Sequence, residues 1–228
     1  MTDTKTIDIT ENIHAIHTRM SKSAEQWQRP LNTIQLIAVS KFQPVEKIEP
    51  AIKAGQHVFG ENRVQEAHEK WITLKAKYPS IELHLIGPLQ TNKIHQALDI
   101  FDVIETVDRP KLAEMLAKGK ASRSHFPECF IQVNVGKEAQ KTGILPQESD
   151  DFIRYCINDL QLPITGLMCI PPANEPPAPY FALLATIAKR HHLPNLSMGM
   201  SSDFESAIAC GATHIRVGEA IFGPRHIS

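Results

Sequence analysis

Short apolar runs alternate with longer amphipathic stretches from residue 34 onward, and they predict strands near 34–40, 57–60, 82–86, 101–106, 129–135, 164–169, 195–198 and 213–217. Compact apolar runs bounded by turn residues are the pattern of strands covered on both faces. Between them, apolar positions recur at helical spacing near 44–54, 62–77, 91–97, 109–121, 146–158, 177–190 and 202–210, with a short helix after Gly218. Ahead of the first strand, Ile13, Ile16, Met20, Ala24 and Trp27 share one helical face over 10–27. Asp8 and Glu11 stand there like a capping box. This opening helix is expected to pack as a lid or a bottom plug.

Eight strand-helix units predict an α/β fold, a single (β/α)8 TIM barrel with an extra N-terminal helix. A doubly wound open sheet is the alternative, because alternation does not fix strand order. No G-x-G-x-x-G follows the first strand, and the last two strand ends carry phosphate-loop-like segments, where barrels commonly build a phosphate site. Pro44 suits a first helical turn, whereas Pro50 should bend or shorten the same helix. The proline-rich run from Pro171 to Pro179 reads as a stiff loop.

Composition narrows the function classes. The 228 residues carry 24 basic and 25 acidic side chains, a formal charge of −1, so no net field favours nucleic acid or anionic membrane. No apolar run reaches the length of a membrane span, and the first residues lack the apolar core of a secretion signal, so a cytoplasmic protein is expected. The 4 cysteines, Cys129, Cys156, Cys169 and Cys210, have no C-x-x-C spacing and read as reduced thiols. Among 11 histidines none forms H-E-x-x-H, and no metal site is expected.

The candidate chemistry starts at Lys41, which ends the first apolar run. A lysine at the mouth of a buried strand is partly desolvated, which lowers its pKa and frees the amine to attack a carbonyl. Barrels carry their reacting groups at such strand ends. The same placement covers Gly60-Glu-Asn62, Gly87-Pro-Leu-Gln90 with Asn92 and Lys93, and Asn134, which are expected to ring one mouth. Near the C-terminus, Ser197-Met-Gly-Met-Ser-Ser202 and Arg216-Val-Gly-Glu-Ala-Ile-Phe-Gly223 each lead into a helix start, where backbone N–H groups can hold phosphate. Ser202 and Glu205 are spaced as a capping box, which leaves Ser201 for a ligand. Gly218 is either a turn glycine or half of a phosphate cup beside Ser201. Arg216 alternates onto the same side as Gly218, and a buried arginine needs a partner, either a carboxylate such as Glu61 or Glu219 or a ligand acceptor. A lysine amine with a phosphate cup fits an aldehyde bearing a phosphate, such as pyridoxal 5'-phosphate.

The segments Ala38-Val-Ser-Lys41, Phe59-Gly-Glu-Asn62, His84-Leu-Ile-Gly-Pro-Leu-Gln-Thr-Asn-Lys93, Gln132-Val-Asn134, Lys141-Thr-Gly143, Gly166-Leu-Met-Cys-Ile-Pro171, Leu196-Ser-Met-Gly-Met-Ser-Ser-Asp-Phe204, Ile215-Arg-Val-Gly218 and Ala220-Ile-Phe-Gly223 run in order through nearly the whole chain. In these segments the sequence resembles the pyridoxal phosphate homeostasis proteins, the YggS/PROSC-like family related to the N-terminal barrel of alanine racemase. The resemblance implies that residues 1–228 form a single pyridoxal-phosphate-binding barrel domain, with the cofactor held as an internal aldimine on Lys41. It implies Arg216 at the pyridine nitrogen, Ser201 and Gly218 at the phosphate, and Asn62 among the cofactor-binding residues. An arginine at that nitrogen disfavours ring protonation and weakens the electron sink, so the cofactor is held but poorly activated. Glu219 departs from the family pattern, which often has a small hydroxyl residue there, and should turn outward or pair with a cation.

The function implied is a carrier that maintains vitamin B6 homeostasis without turnover, making transient contacts with apo pyridoxal-phosphate enzymes; a monomer is expected because no exposed apolar helix face stands out. A pyridoxal-phosphate-dependent amino-acid racemase is the alternative. It needs a second proton-transfer group, and Tyr78, Tyr155 and Tyr180 fall in predicted helices or their entry loops. A Schiff-base aldolase acting on a phosphosugar ranks last.

Overall fold

A computed structural model describes residues 8–121 and 123–224. Eight parallel strands close in sequence order, β1 (Gln35–Val39), β2 (Val58–Glu61), β3 (Glu82–Leu85), β4 (Val103–Val107), β5 (Glu128–Gln132), β6 (Ile164–Met168), β7 (Asn195–Ser197) and β8 (His214–Val217). The last pairs with the first, Leu36 lying opposite Ile215 and Ala38 opposite Val217. This is the TIM barrel expected from the alternation. The open-sheet alternative is excluded by that closure.

The helices are α1 (Ile9–Gln26), α2 (Val45–Lys53), α3 (Val64–Lys77), α4 (Ile94–Ile100), α5 (Pro110–Lys120), α6 (Ser149–Arg154), α7 (Ala178–Arg190), α8 (Phe204–Ala209) and α9 (Glu219–Phe222). Asp8 caps α1, its Oδ1 accepting from the Thr10 and Glu11 amides at 2.9 and 3.0 Å. The helix buries Ile9, Ile13, Ile16, Met20 and Ala24. It packs against α2, α8 and α9 in the outer layer, so it is neither a lid nor a plug. Its Asn12 amide also donates to the Ile221 carbonyl at 2.8 Å.

Local rules yield to tertiary contacts in three places. Pro50 lies inside α2, which continues to Lys53, and its carbonyl still accepts from the Ala54 amide at 3.0 Å. The stretch expected as a helix over 146–158 becomes α6 followed by a π-turn at Tyr155–Asp159, with Cys156 buried. Ser202 caps nothing: α8 starts after Asp203, whose Oδ1 accepts from the Met200 amide at 2.6 Å, and Glu205 is drawn to Arg19 of α1 at 2.7 Å.

The pleat sorts strand side chains into barrel-facing and helix-facing sets. Along β8, His214 and Arg216 share the inner face, and Phe130 of β5 meets the His214 ring edge-on at 5.4 Å. Helix-facing Phe59 of β2 meets Trp71 of α3, ring centroids 4.9 Å apart, in the apolar layer between strands and helices. Glu61 belongs to this outer set. Its Oε1 accepts from Ser40 Oγ at 2.7 Å and Trp71 Nε1 at 3.0 Å and pairs with Lys70 at 2.8 Å.

Candidate functional site

Two cavities mark the two mouths of the barrel. The one at the strands' C-terminal ends has a volume of about 380 Å³ and is lined by Lys41, Asn62, Ser201, Arg216 and Gly218, among others. All five sequence-derived candidates therefore meet at one pocket. The lining also includes Val39, Gln43, Ile86 and Ile170. Pleat spacing explains the grouping, since Val39 and Lys41, or Arg216 and Gly218, are two residues apart on one strand track.

Lys41 stands two residues beyond the end of β1 and is half-buried. Its loop is fastened from α3. The Lys70 ammonium donates to the Ser40 carbonyl at 3.0 Å, Glu66 accepts from the Phe42 amide at 2.6 Å, and Lys70 pairs with Glu66 at 2.8 Å. Burial raises the Glu61 pKa above the usual carboxylate range, and Lys70 opposes that effect. Phe42 takes a left-handed backbone, φ 61°, with the Arg63 guanidinium over its ring.

The opposite wall is the turn after β7. Gly199 has φ 92°, and a Cβ there would lie 2.6 Å from that of Ala207 and 2.9 Å from the Phe204 Cα. Both the backbone and the space therefore require glycine. Gly199→Ala is expected to cost about 1–3 kcal/mol from the strained backbone alone, read from urea melts. A variant as stable as the parent would show that the turn relaxes freely. Arg19 crosses from α1 and donates to the Ser201 carbonyl at 3.4 Å, with its guanidinium over the Phe204 ring.

Gly218 has an ordinary φ of −120°, so backbone freedom is not its reason. Val39 lies against it instead: a Cβ would come within 3.2 Å of both the Val39 Cβ and carbonyl oxygen. Glu219 is exposed and contributes to the rim of the pocket.

Arg216 is 5% exposed and has neither carboxylate expected from the sequence as its direct partner. Its Nη1 donates to Ser197 Oγ at 2.7 Å and its Nη2 to the Cys169 carbonyl at 2.8 Å. Ser197 donates in turn to Glu105 at 2.6 Å. Glu61 is absent from this arrangement because its strand turns it toward α3.

Several residues expected at the mouth do not line the pocket, namely Gln90, Asn92, Lys93 and Asn134. Asn134 organises its own loop, donating to the Glu138 carbonyl at 2.8 Å and accepting from the Glu138 amide at 3.1 Å. Sequence reasoning missed Gln43, Ile86 and Ile170, although strand phase places Ile86 two residues beyond inward-facing His84. It also missed Ser197, which lay within a quoted segment but had no local signal for its partner across the barrel.

A closed parallel barrel with a lysine, an arginine and two glycine-bearing turns at its C-terminal mouth defines a class, and residues 11–226 match the family model for the alanine racemase N-terminal domain. Proteins similar along nearly the full chain narrow it further. The pyridoxal phosphate homeostasis protein of Haemophilus influenzae is 35% identical over 232 residues, covering 97% of this chain and 98% of the relative. That of Vibrio cholerae is 38% identical over 231 residues, covering 96% and 98%. PipY of Synechococcus elongatus, solved with PLP bound, superposes with a TM-score of 0.79 at 36% identity, covering 94% of this chain and 100% of PipY. The chain belongs to the pyridoxal phosphate homeostasis protein family.

Proposed function

We propose that this protein binds pyridoxal 5'-phosphate reversibly in the C-terminal pocket, with Lys41 as the covalent anchor, and so maintains intracellular vitamin B6 homeostasis without turnover of its own. The observation that carries the reading is the convergence of Lys41, Asn62, Ser201, Arg216 and Gly218 on one pocket of about 380 Å³. That volume lies in the range of small-molecule sites. PipY, a relative covering almost the whole chain, was solved with PLP bound.

The residues fit such a group. The Asn62 side-chain oxygen is buried with no hydrogen-bond partner among the described residues, as a wall awaiting a polar ligand would leave it. Gly218 keeps the wall beside Val39 free of a side chain. When bound, the cofactor supplies an aldehyde and an electron-withdrawing ring. Lys41 provides the amine that joins the aldehyde. Ser201, Gly218 and the backbone N–H groups beside them take the phosphate. Arg216 faces the ring nitrogen and, as a permanent cation, disfavours its protonation. Asn62 orients the bound molecule.

Arg216 is also the reason to favour carriage over catalysis, because it weakens the electron withdrawal that racemisation requires. A racemase further needs a second proton-transfer group, and no tyrosine lines the pocket. Tyr155 bonds Glu114 at 3.2 Å, Tyr180 bonds Glu175, and Tyr78 ends α3. In this reading residues 1–228 act as one cofactor-binding domain, a cytoplasmic monomer that passes the cofactor to apo-enzymes in transient contacts. No helix among the described residues is long and apolar enough to cross a membrane.

Borohydride reduction in the presence of pyridoxal phosphate, followed by peptide mass mapping, tests the reading. Phosphopyridoxyl label confined to Lys41 supports it; scattered surface labelling, or none, overturns it and returns the phosphosugar aldolase to consideration. Arg216→Ala is expected to keep the label while changing the visible spectrum and weakening binding about 10-fold, the loss of one charge-assisted contact. An unchanged spectrum and affinity would refute contact between Arg216 and the ring.

A further inference from the structure

The barrel interior holds an unbroken polar chain that the pocket residues alone do not explain. It starts at Arg216 in the C-terminal pocket and passes through Ser197 to Glu105. Glu105 Oε1 then meets His84 Nδ1 at 2.8 Å, and His84 Nε2 meets Glu82 at 2.6 Å. Glu82 lines the second cavity, about 240 Å³, at the strands' N-terminal ends together with His214. Four strands supply the chain, β3, β4, β7 and β8. The side chains of Glu105, His84 and Ser197 are completely buried.

The bonds converge on Glu105. Arg216 only donates, so Ser197 Oγ accepts from it, and the Ser197 proton is committed to Glu105. Glu105 accepts from both sides, from Ser197 on one oxygen and from His84 on the other. Side chains that merely filled the barrel would carry no such requirement, and apolar residues fill a barrel interior at lower cost.

The geometry also sets the counter-charge at a distance. A carboxylate paired directly with Arg216 would cancel most of its field. Here Glu105 stands one hydroxyl away, so it compensates the buried cation while the guanidinium remains a net positive group at the pocket floor. The Cys169 carbonyl holds a second guanidinium nitrogen from the end of β6, which fixes the plane of the group.

We propose that Glu105, acting through the Ser197 hydroxyl, is the positioning residue for Arg216: the pair fixes the guanidinium in one orientation before any ligand enters and sets how strongly that cation acts on a ring placed against it. The proposal rests on the cofactor reading above, and it adds two residues that touch no ligand. The charged and titratable groups that face this unit are His84 and Glu82 from β3 and His214 from β8, whose ring centroid lies 5.8 Å from that of His84.

Ser197→Ala cuts the link and leaves both charges in place, whereas Glu105→Gln keeps the shape and removes the charge. Both are loaded with pyridoxal phosphate beside the parent and Arg216→Ala, and the visible spectrum is followed against pH. Melting of the cofactor-free forms reports folding. Both variants are expected to retain the cofactor but to move the midpoint of the spectral titration by roughly half a pH unit or more, Ser197→Ala in the direction taken by Arg216→Ala because the guanidinium is no longer held, and Glu105→Gln in the opposite direction because the cation loses its counter-charge. Spectra and midpoints superimposable on the parent, with Arg216→Ala clearly different, would overturn the positioning role. Nitrogen-15 spectra of arginine-labelled, cofactor-free parent decide the matter even where a variant does not fold. Slowly exchanging, non-averaged Arg216 Nη protons are expected, and rapid averaging would refute pre-positioning. If the parent takes up no pyridoxal phosphate, the cofactor reading fails, and the nitrogen-15 result still settles how Arg216 is held.

Discussion

Lys41→Ala is expected to abolish borohydride-stable incorporation of pyridoxal phosphate and to weaken equilibrium binding by about 100-fold or more, roughly 2.7 kcal/mol. The loss should exceed that at any other pocket residue because, among the described residues, Lys41 is the one lysine lining the pocket, while the remaining expected contacts are hydrogen bonds of about 1–3 kcal/mol each. Residual binding should persist, since Ser201, Gly218 and Arg216 are intact. Lys41→Arg separates charge from nucleophilicity: it keeps the cation and should fail as completely in labelling. Because the Lys41 loop is fastened by Glu66 and Lys70 of α3, neither substitution should alter the fold, and melting within a few degrees of the parent is expected. Labelling that survives in Lys41→Ala at another single lysine would move the anchor elsewhere and remove the basis of the proposed function.

Strand ends were the most legible part of the sequence. Eight apolar runs gave the strands to within a few residues, because a strand covered on both faces has little freedom in composition. The same regularity placed Lys41, Asn62, Arg216 and Gly218 at strand ends, and barrel closure turns strand ends into a ring. Ser201 was legible through its position in the turn after β7.

What failed to show in the sequence depended on contacts distant along the chain. Ser202 and Glu205 have the spacing of a capping box, yet Arg19, from a helix packed against α8, bonds Glu205 instead. Pro50 should have ended α2, but the helix continues to Lys53, where buried Ala51 and Ile52 pack into the core. The sequence offers Glu61, Glu219 or a ligand acceptor as the partner of Arg216, but its counter-charge lies one layer deeper, beyond the Ser197 hydroxyl, because Glu105 faces inward on β4 while Glu61 faces α3. No spacing rule links residues 84, 105, 197 and 216. Their meeting follows only from barrel closure and the stagger of the strands.

The interior chain carries the second large effect, on stability. Glu105→Ala is expected to cost about 3–5 kcal/mol at neutral pH, the penalty for removing one partner from a buried pair. Burial alone would lower the His84 pKa, but the hydrogen bonds and charges of Glu105 and Glu82 outweigh it and raise the value to about 9. Burial works to raise that of Glu105, and His84 with Arg216 bring it below the usual carboxylate range. Burial lowers His214 to about 4 against the pull of Glu105. A histidine raised to about 9 stabilises fully below its ordinary value of 6.5, and the contribution, about 3 kcal/mol, is lost as pH climbs from 6.5 through 9. His214 acts with the opposite sign: it stays neutral in the fold, so its share is present above 6.5 and declines as pH falls toward 4. Glu105 and Glu82, both lowered, likewise lose their share as pH falls through the acid range. Parent stability should therefore peak near pH 6.5 and fall on both sides. In Glu105→Ala, His84 retains only Glu82, its pKa drops, and the alkaline decline should flatten. Urea melts of parent and variant at pH 5, 6.5 and 9 measure this directly. A difference between the two proteins that is the same at pH 6.5 and pH 9 would show that His84 is not charged in the folded barrel, and the polar chain would lose its cationic centre.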